Sequence, residues 1–228
     1  MAPRTATVNA GALGFASGGT FGAGTALSLA AAGTLLHTDS GNAAVGNLSG
    51  VAGSKIALAA GSSLRMADGT STTIASDFSG GGALIKSGSG TLTLSGNNSA
   101  FTGSFTANAG SLLAASAKAI GGAALDIGGA VTLMSPGALA LNAVGLSTST
   151  GAGVLSVQTP GAVSFNGTVS GAGSLDLRGI GGKVSLLGAN SYAGGTRFAN
   201  NTVVLGSNTA LGTGAVSIEG DTALSGNA

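Results

Sequence analysis

Cysteine and tryptophan are absent from the chain, and tyrosine occurs once. Without thiols there is neither a disulfide framework nor a thiolate metal site, and a chain without cross-links can thread a membrane unfolded. Charge is nearly as scarce, at 7% of residues against roughly 25% in an ordinary globular domain. The eight Lys and Arg are scattered, seven Asp and Glu oppose them, and the net charge is +1. A protein that neutralises nucleic-acid phosphates needs a basic patch, and this sequence has none to offer. No long apolar run is present, so no transmembrane helix is expected. Seven Phe and one Tyr cannot supply the aromatic girdles of an outer-membrane barrel. A mean hydropathy of +0.49 argues against disorder, which needs low hydrophobicity and high net charge. The first residues, Met1-Ala2-Pro3-Arg4, lead straight into patterned sequence with no apolar signal core. They imply a cytoplasmic protein or a piece of a longer one.

What the chain has in abundance is glycine, 44 residues of it, set between short alternating runs. Thr91-Leu92-Thr93-Leu94-Ser95, Lys55-Ile56-Ala57-Leu58, Ser174-Leu175-Asp176-Leu177 and Ala215-Val216-Ser217-Ile218 each place aliphatic residues at every second position. Period two puts these on one face of a strand and Ser, Thr and charge on the other. Each run ends at Gly, Asn or Ser, and another follows within about 8–10 residues, the spacing of an all-β fold. A glycine costs a helix about 1 kcal/mol relative to Ala. The best helical stretch, Leu113 to Ala119, is short.

Self-similarity separates a solenoid from a sandwich. Val8-Asn9-Ala10-Gly11-Ala12-Leu13 resembles Ala107-Asn108-Ala109-Gly110-Ser111-Leu112, and Ala199-Asn200-Asn201-Thr202-Val203-Val204 is a degraded third copy. The asparagines are 99 and 92 residues apart. Gly22, Gly121 and Gly212 open a second set of similar segments at nearly the same steps. So long a repeat reads as several coils of roughly 20–30 residues, each with two or three short strands and an aliphatic interior. Gly and Asn suit the corners, because both tolerate left-handed backbone. Asn97-Asn98, Asn190 and Asn200-Asn201 are the expected corner residues, and stacked asparagines could form a ladder. The expectation is one β-solenoid segment over residues 1–228, cut at both ends from a longer array.

Gly82-Ala83-Leu84-Ile85-Lys86-Ser87-Gly88-Ser89-Gly90-Thr91-Leu92-Thr93-Leu94-Ser95-Gly96-Asn97-Asn98, continued by Phe101-Thr102-Gly103, resembles the autotransporter-associated β-strand repeat. A second copy lacks the Lys-x-Gly-x-Gly-Thr core but keeps Leu187-Gly188-Ala189-Asn190-Ser191-Tyr192-Ala193-Gly194-Gly195-Thr196. The resemblance implies a right-handed parallel β-helix (a β-solenoid). It also implies a passenger region exported through the inner membrane and then through an outer-membrane β-barrel translocator, to the Gram-negative cell surface or beyond.

A β-helix can carry an active site, so the chemistry-bearing residues matter. The acids are Asp39, Asp68, Asp77, Asp126, Asp176, Glu219 and Asp221. Only Glu219 and Asp221 are close in sequence, flanking Gly220 as in an exposed turn. His37-Thr38-Asp39 holds the only histidine; the pair could serve a Ser-His-Asp system but reads as a solvated turn. No Gly-x-Gly pair extends to a dinucleotide fingerprint, and no Gly-Lys-Ser/Thr loop occurs. Asn47, Asn97, Asn166 and Asn200 satisfy the glycosylation rule, as chance allows in so Asn- and Ser-rich a chain. Phe101, Phe105, Tyr192 and Phe198 recur in two repeats and read as core filling rather than a sugar platform. No Thr-x-Thr ladder of the ice-binding kind accompanies Thr91-x-Thr93. The expectation is a structural stalk with no catalytic residues, cofactor or metal. Adhesion to host or neighbouring cells is the alternative, and a polysaccharide-acting enzyme a more distant one.

Overall fold

The computed structural model describes residues 4–15, 19, 21, 24–67, 69–148 and 151–226. They fall into two compact units, Met1–Ala123 and Ala124–Ala228. Both are built from parallel strands stacked as a β-solenoid, and no helix occurs among the described residues.

In the first unit a coil lays down three short strands. Asn42–Val45, Asn47–Gly50 and Lys55–Leu58 form one coil. Ser63–Met66, Thr72–Ile74 and Asp77–Gly80 form the next, and Ala83–Lys86, Thr91–Leu94 and Ala100–Phe101 the one after. Each strand pairs with its counterpart one coil away, as in Ser63 beside Ala83, Thr73 beside Thr93 and Lys55 beside Asp77. Register partners are 20 to 24 residues apart, inside the range expected for one coil. The alternation read from the sequence becomes burial: Leu92 and Leu94 point inward, while Thr91 and Thr93 face outward and are half-buried. Each such leucine, taken fully from water, contributes about 1.5–3 kcal/mol.

Two strands run far longer than the expected four or five residues. Arg4–Phe15 and Thr25–His37 run unbroken through a corner. Thr25–His37 meets Asn47–Gly50 through Ala26–Leu29, and Lys55–Leu58 through Thr34–His37. A bulge between Val8 and Ala10 bends the first of them, as an extra residue in a ladder does. Glycine therefore does not always end a strand here, because a bulge can turn the corner without breaking the pairing. The Ala-rich stretch Leu113 to Ala119 is strand as far as Ala114 and then a turn, closed by the Ala119 amide donating to the Ser116 carbonyl at 3.1 Å.

The second unit repeats the scheme. Its coils include Val144–Gly145, Val154–Thr159 and Val163–Phe165, followed by Val169–Ser170, Ser174–Ile180 and Val184–Leu186. Its last two coils carry two strands each: Thr196–Ala199 with Thr202–Leu205, then Val216–Glu219 with Ala223–Gly226. Register steps run from 19 to 25 residues. One departure from parallel pairing is a small hairpin, Ser147–Thr148 against Gly151–Ala152. Val216, Ile218 and Leu224 lie beside the buried Thr196, Phe198 and Val203. Their strands end their ladders, so these side chains keep one open side and remain 40–47% exposed.

Candidate functional site

The acids do not converge. Asp39 is exposed beyond the end of Thr25–His37. Asp77 accepts the backbone N–H of Asn97 at 2.8 Å. Asp126 lies on Ala124–Ile127, and Asp68 is outside the described residues. Asp176 pairs with Arg178 at 2.8 Å, and Arg178 reaches Glu219 at 3.4 Å. Glu219 is thus drawn to a residue 41 positions earlier, while the Asp221 amide donates to the Asn200 side chain at 3.2 Å. The hydrogen bond from Arg178 holds the Asp176 carboxyl below its ordinary value, and the two acids raise the guanidinium in turn. Among the described residues no three of His, Asp and Glu gather where a metal ion could be held.

His37 is not in a solvated turn. It ends a strand pointing inward, is fully buried, and packs against Phe15 with ring centroids 6.1 Å apart. Its Nε2 donates to the Gly41 carbonyl at 3.0 Å, and its Nδ1 has no hydrogen-bond partner among the described residues. Alternation explains the difference: the inward positions Leu27, Leu29, Leu35 and His37 carry the histidine into the core. Asp39 lies just past the strand, so the two do not form the pair that a catalytic arrangement needs.

A groove of about 430 Å³ lies in the second unit. Ser174, Asp176, Arg197 and Ser217 border it, with Gly194 and Gly195 at one corner. It presents an already paired carboxylate, a guanidinium and hydroxyls, with no histidine or second acid among its lining residues.

The aromatics that recur in the two repeats are internal. Phe78, Phe101 and Phe105 cluster with centroids 4.9 to 5.6 Å apart. Tyr192 and Phe198 are completely buried. The Tyr192 hydroxyl bonds that of Thr196, and burial pushes its pKa up. These rings fill the core and offer no platform.

The polar residues that do converge are buried, and they hold coils together. Lys86 points inward from Ala83–Lys86, only 5% exposed. Its Nζ donates to the carbonyls of Gly88 and, at 2.8 Å, Ala109, and burial lowers its pKa. Asn98, Asn190 and Asn201 are buried; Asn98 and Asn190 spend both ends of their amides on backbone groups of other coils, and Asn201 spends its Nδ2 so. They are not left-handed residues; among the described asparagines only Asn200 has a positive φ, 54°. Nor do they bond one another as a ladder, since their side-chain partners are backbone groups. Sequence reasoning assigned Lys86 and Asn98 to the motif but not to the interior. The inward parity of Leu84 and Lys86 was the available signal for the lysine.

The described fold defines a parallel β-solenoid whose buried polar groups join successive coils. Residues 84–114 and 181–201 match the passenger-associated-transport-repeat family. On a β-solenoid these matches fit an autotransporter passenger built with β repeats. No curated protein and no solved structure matches the chain.

Proposed function

We propose that the chain is a non-catalytic stalk segment of an autotransporter passenger. A linked outer-membrane β-barrel carries it to the cell surface or into the medium. The supporting observation is where its polar chemistry goes. In both family-matched stretches buried polar side chains serve backbone groups, among them Lys86, Asn98 and Asn190. The exposed ion pairs are salt-screened and neutralise one another. A rigid spacer needs such internal joints and no site.

The test is display in a Gram-negative host with the chain placed between a signal peptide and a translocator barrel. Accessibility to external protease that depends on the barrel is the expected result. Retention inside the cell with the barrel present would overturn the reading.

A second reading, adhesion, draws on the outward hydroxyls of the first unit. Ser28 lies beside Ser49, Thr73 beside Thr93 and Thr91 beside Ser111, so hydroxyls adjoin across coils although Thr-x-Thr is rare along the chain. Such a face could hydrogen-bond neutral, hydroxyl-rich surfaces. Binding of the purified chain to cells or matrix, reduced by Thr73→Ala with Thr93→Ala, is the outcome that would favour it. Equal binding by that double variant would count against it.

A further inference from the structure

A solenoid is nearly one-dimensional, so each coil is stabilised by the coils directly above and below it. Asn98 serves both of those neighbours with one side chain. Its Oδ1 accepts the Phe78 amide N–H at 2.9 Å, from the preceding coil. Its Nδ2 donates to the Ala119 carbonyl at 2.6 Å, in the following coil. The side chain is fully buried. One neighbour offers only a donor and the other only an acceptor, which fixes the amide's orientation. The bonds are complete only when three consecutive coils are in place. With either flanking coil undocked, half of the amide is left without its partner, which is costly while it stays buried.

The same constellation occurs independently in the second unit. Asn190 Oδ1 accepts the Val169 N–H at 2.7 Å, and its Nδ2 donates to the Ala210 carbonyl at 2.6 Å. Both acceptor turns are built alike. Ala119 and Ala210 donate to the carbonyls of Ser116 and Ser207, each at 3.1 Å. Two residues on, Gly121 and Gly212 have φ of 63° and 67°. A Cβ on Gly121 would lie 1.9 Å from the Asn98 carbonyl oxygen, and one on Gly212 2.4 Å from that of Tyr192, so only glycine lets these turns approach. Both turns fall outside the matched stretches 84–114 and 181–201. Asn201 is different: it accepts from Ala199 in its own coil and donates to Ile180 of the previous one, and so joins two coils.

We propose that Asn98 and Asn190 are three-coil staples. Each makes a block of three windings fold and unfold together, and the working repeat extends one turn past the matched sequence, to Gly121 and Gly212. The inference concerns coil cohesion and stands whether or not the chain is exported.

The experiment is denaturant unfolding of the full chain combined with hydrogen exchange, comparing Asn98→Leu and Asn190→Leu with Asn201→Leu. The staple variants are expected to broaden or split the transition. Exchange should rise at least tenfold in peptides containing the flanking partners, Phe78 and Ala119 or Val169 and Ala210. Asn201→Leu should lower the midpoint and leave the steepness unchanged. Asn98→Asp keeps the acceptor and removes the donor, so protection should be lost around Ala119 and kept at Phe78. Equal midpoint shifts with unchanged steepness in all three leucine variants would overturn the proposal. If the leucine variants do not fold, native-state exchange of the unaltered chain decides. The amides of Phe78, Phe101 and Ala119 should open with one common denaturant dependence, and separate dependences would overturn the proposal.

Discussion

The two family-matched stretches reach the same joint with different parts. Residues 84–114 carry Lys86 with its Gly88 and Ala109 carbonyls and a neighbouring trio of phenylalanines. Residues 181–201 have no inward lysine, since Lys183 is exposed, and they hold a tyrosine whose hydroxyl is bonded internally. Both keep a buried asparagine with one amide bond to each flanking coil. The lysine and the aromatic identity are therefore adjustable, whereas the asparagine joint recurs. A carboxamide supplies a donor and an acceptor without charge. A lysine supplies donors alone and must be desolvated.

The largest effect should come from the apolar side of this comparison. Phe101→Ala removes a fully buried ring from between Phe78 and Phe105. It should destabilise the first unit by about 3–5 kcal/mol, the usual range for a buried aromatic cut to alanine, as read by chemical unfolding. Tyr192→Phe keeps the ring and removes only the oxygen. The buried Thr196 hydroxyl is then left without its tyrosine partner, and a loss of about 1–2 kcal/mol is expected in the second unit. A near-zero change would mean that the internal hydroxyl pair is worth nothing, and that tyrosine is there for its shape.

How far the sequence goes can be judged from the same residues. Thr91-Leu92-Thr93-Leu94 declares its strand and its buried face outright, because period two is a local property. The coil length was bracketed by dividing the long repeat into windings. The unbroken strand Thr25–His37 was not legible, because what carries it through a corner is the pairing with Lys55–Leu58 and Asn47–Gly50 on other coils. Asn200 is left-handed as expected, but Asn98, Asn190 and Asn201 were legible as special and given the wrong task. A turn asparagine and a buried bridging asparagine look alike until the coils above and below are placed, and Phe78 and Ala119 are 20 and 21 residues from Asn98. His37 misled for a related reason: Thr38-Asp39 after it suggests a turn, while the parity of the strand before it decides its burial.

Lys86 sharpens the comparison through pH. Its proton is held less tightly in the folded chain than in the unfolded one, because burial disfavours the ammonium. Between the lowered folded value and the ordinary lysine range, the unfolded state binds more protons, so stability should rise with pH through that window. Lys86→Met, matching Met66 one coil away in register, should flatten this rise. It should also cost about 1 kcal/mol near neutrality, where the Gly88 and Ala109 carbonyls lose their donor and the relieved desolvation offsets part of that loss. Unfolding midpoints of the two proteins from pH 7 to 10 check this. The second unit, with no inward lysine in its matched stretch, supplies no such slope of its own.

The smallest effect should lie on the surface of the second unit, where Asp176, Arg178 and Glu219 form the ion pairs found among the described residues. Asp176 has its proton affinity lowered first by the hydrogen bond from Arg178. Its stabilising contribution is therefore present above the ordinary carboxyl value and is lost as pH falls through the lowered one. The carboxylate and guanidinium are solvent-accessible, so water and salt screen most of that interaction. Asp176→Asn is expected to lower the thermal midpoint by no more than ~2 °C at low ionic strength, and by nothing measurable in molar salt. A larger loss that survives molar salt would mean that Asp176 holds the strand Ser174–Ile180 in place rather than decorating it. The groove beside it, bordered by Asp176 and Arg197, would then be a rigid feature of the coil instead of a by-product of two surface side chains.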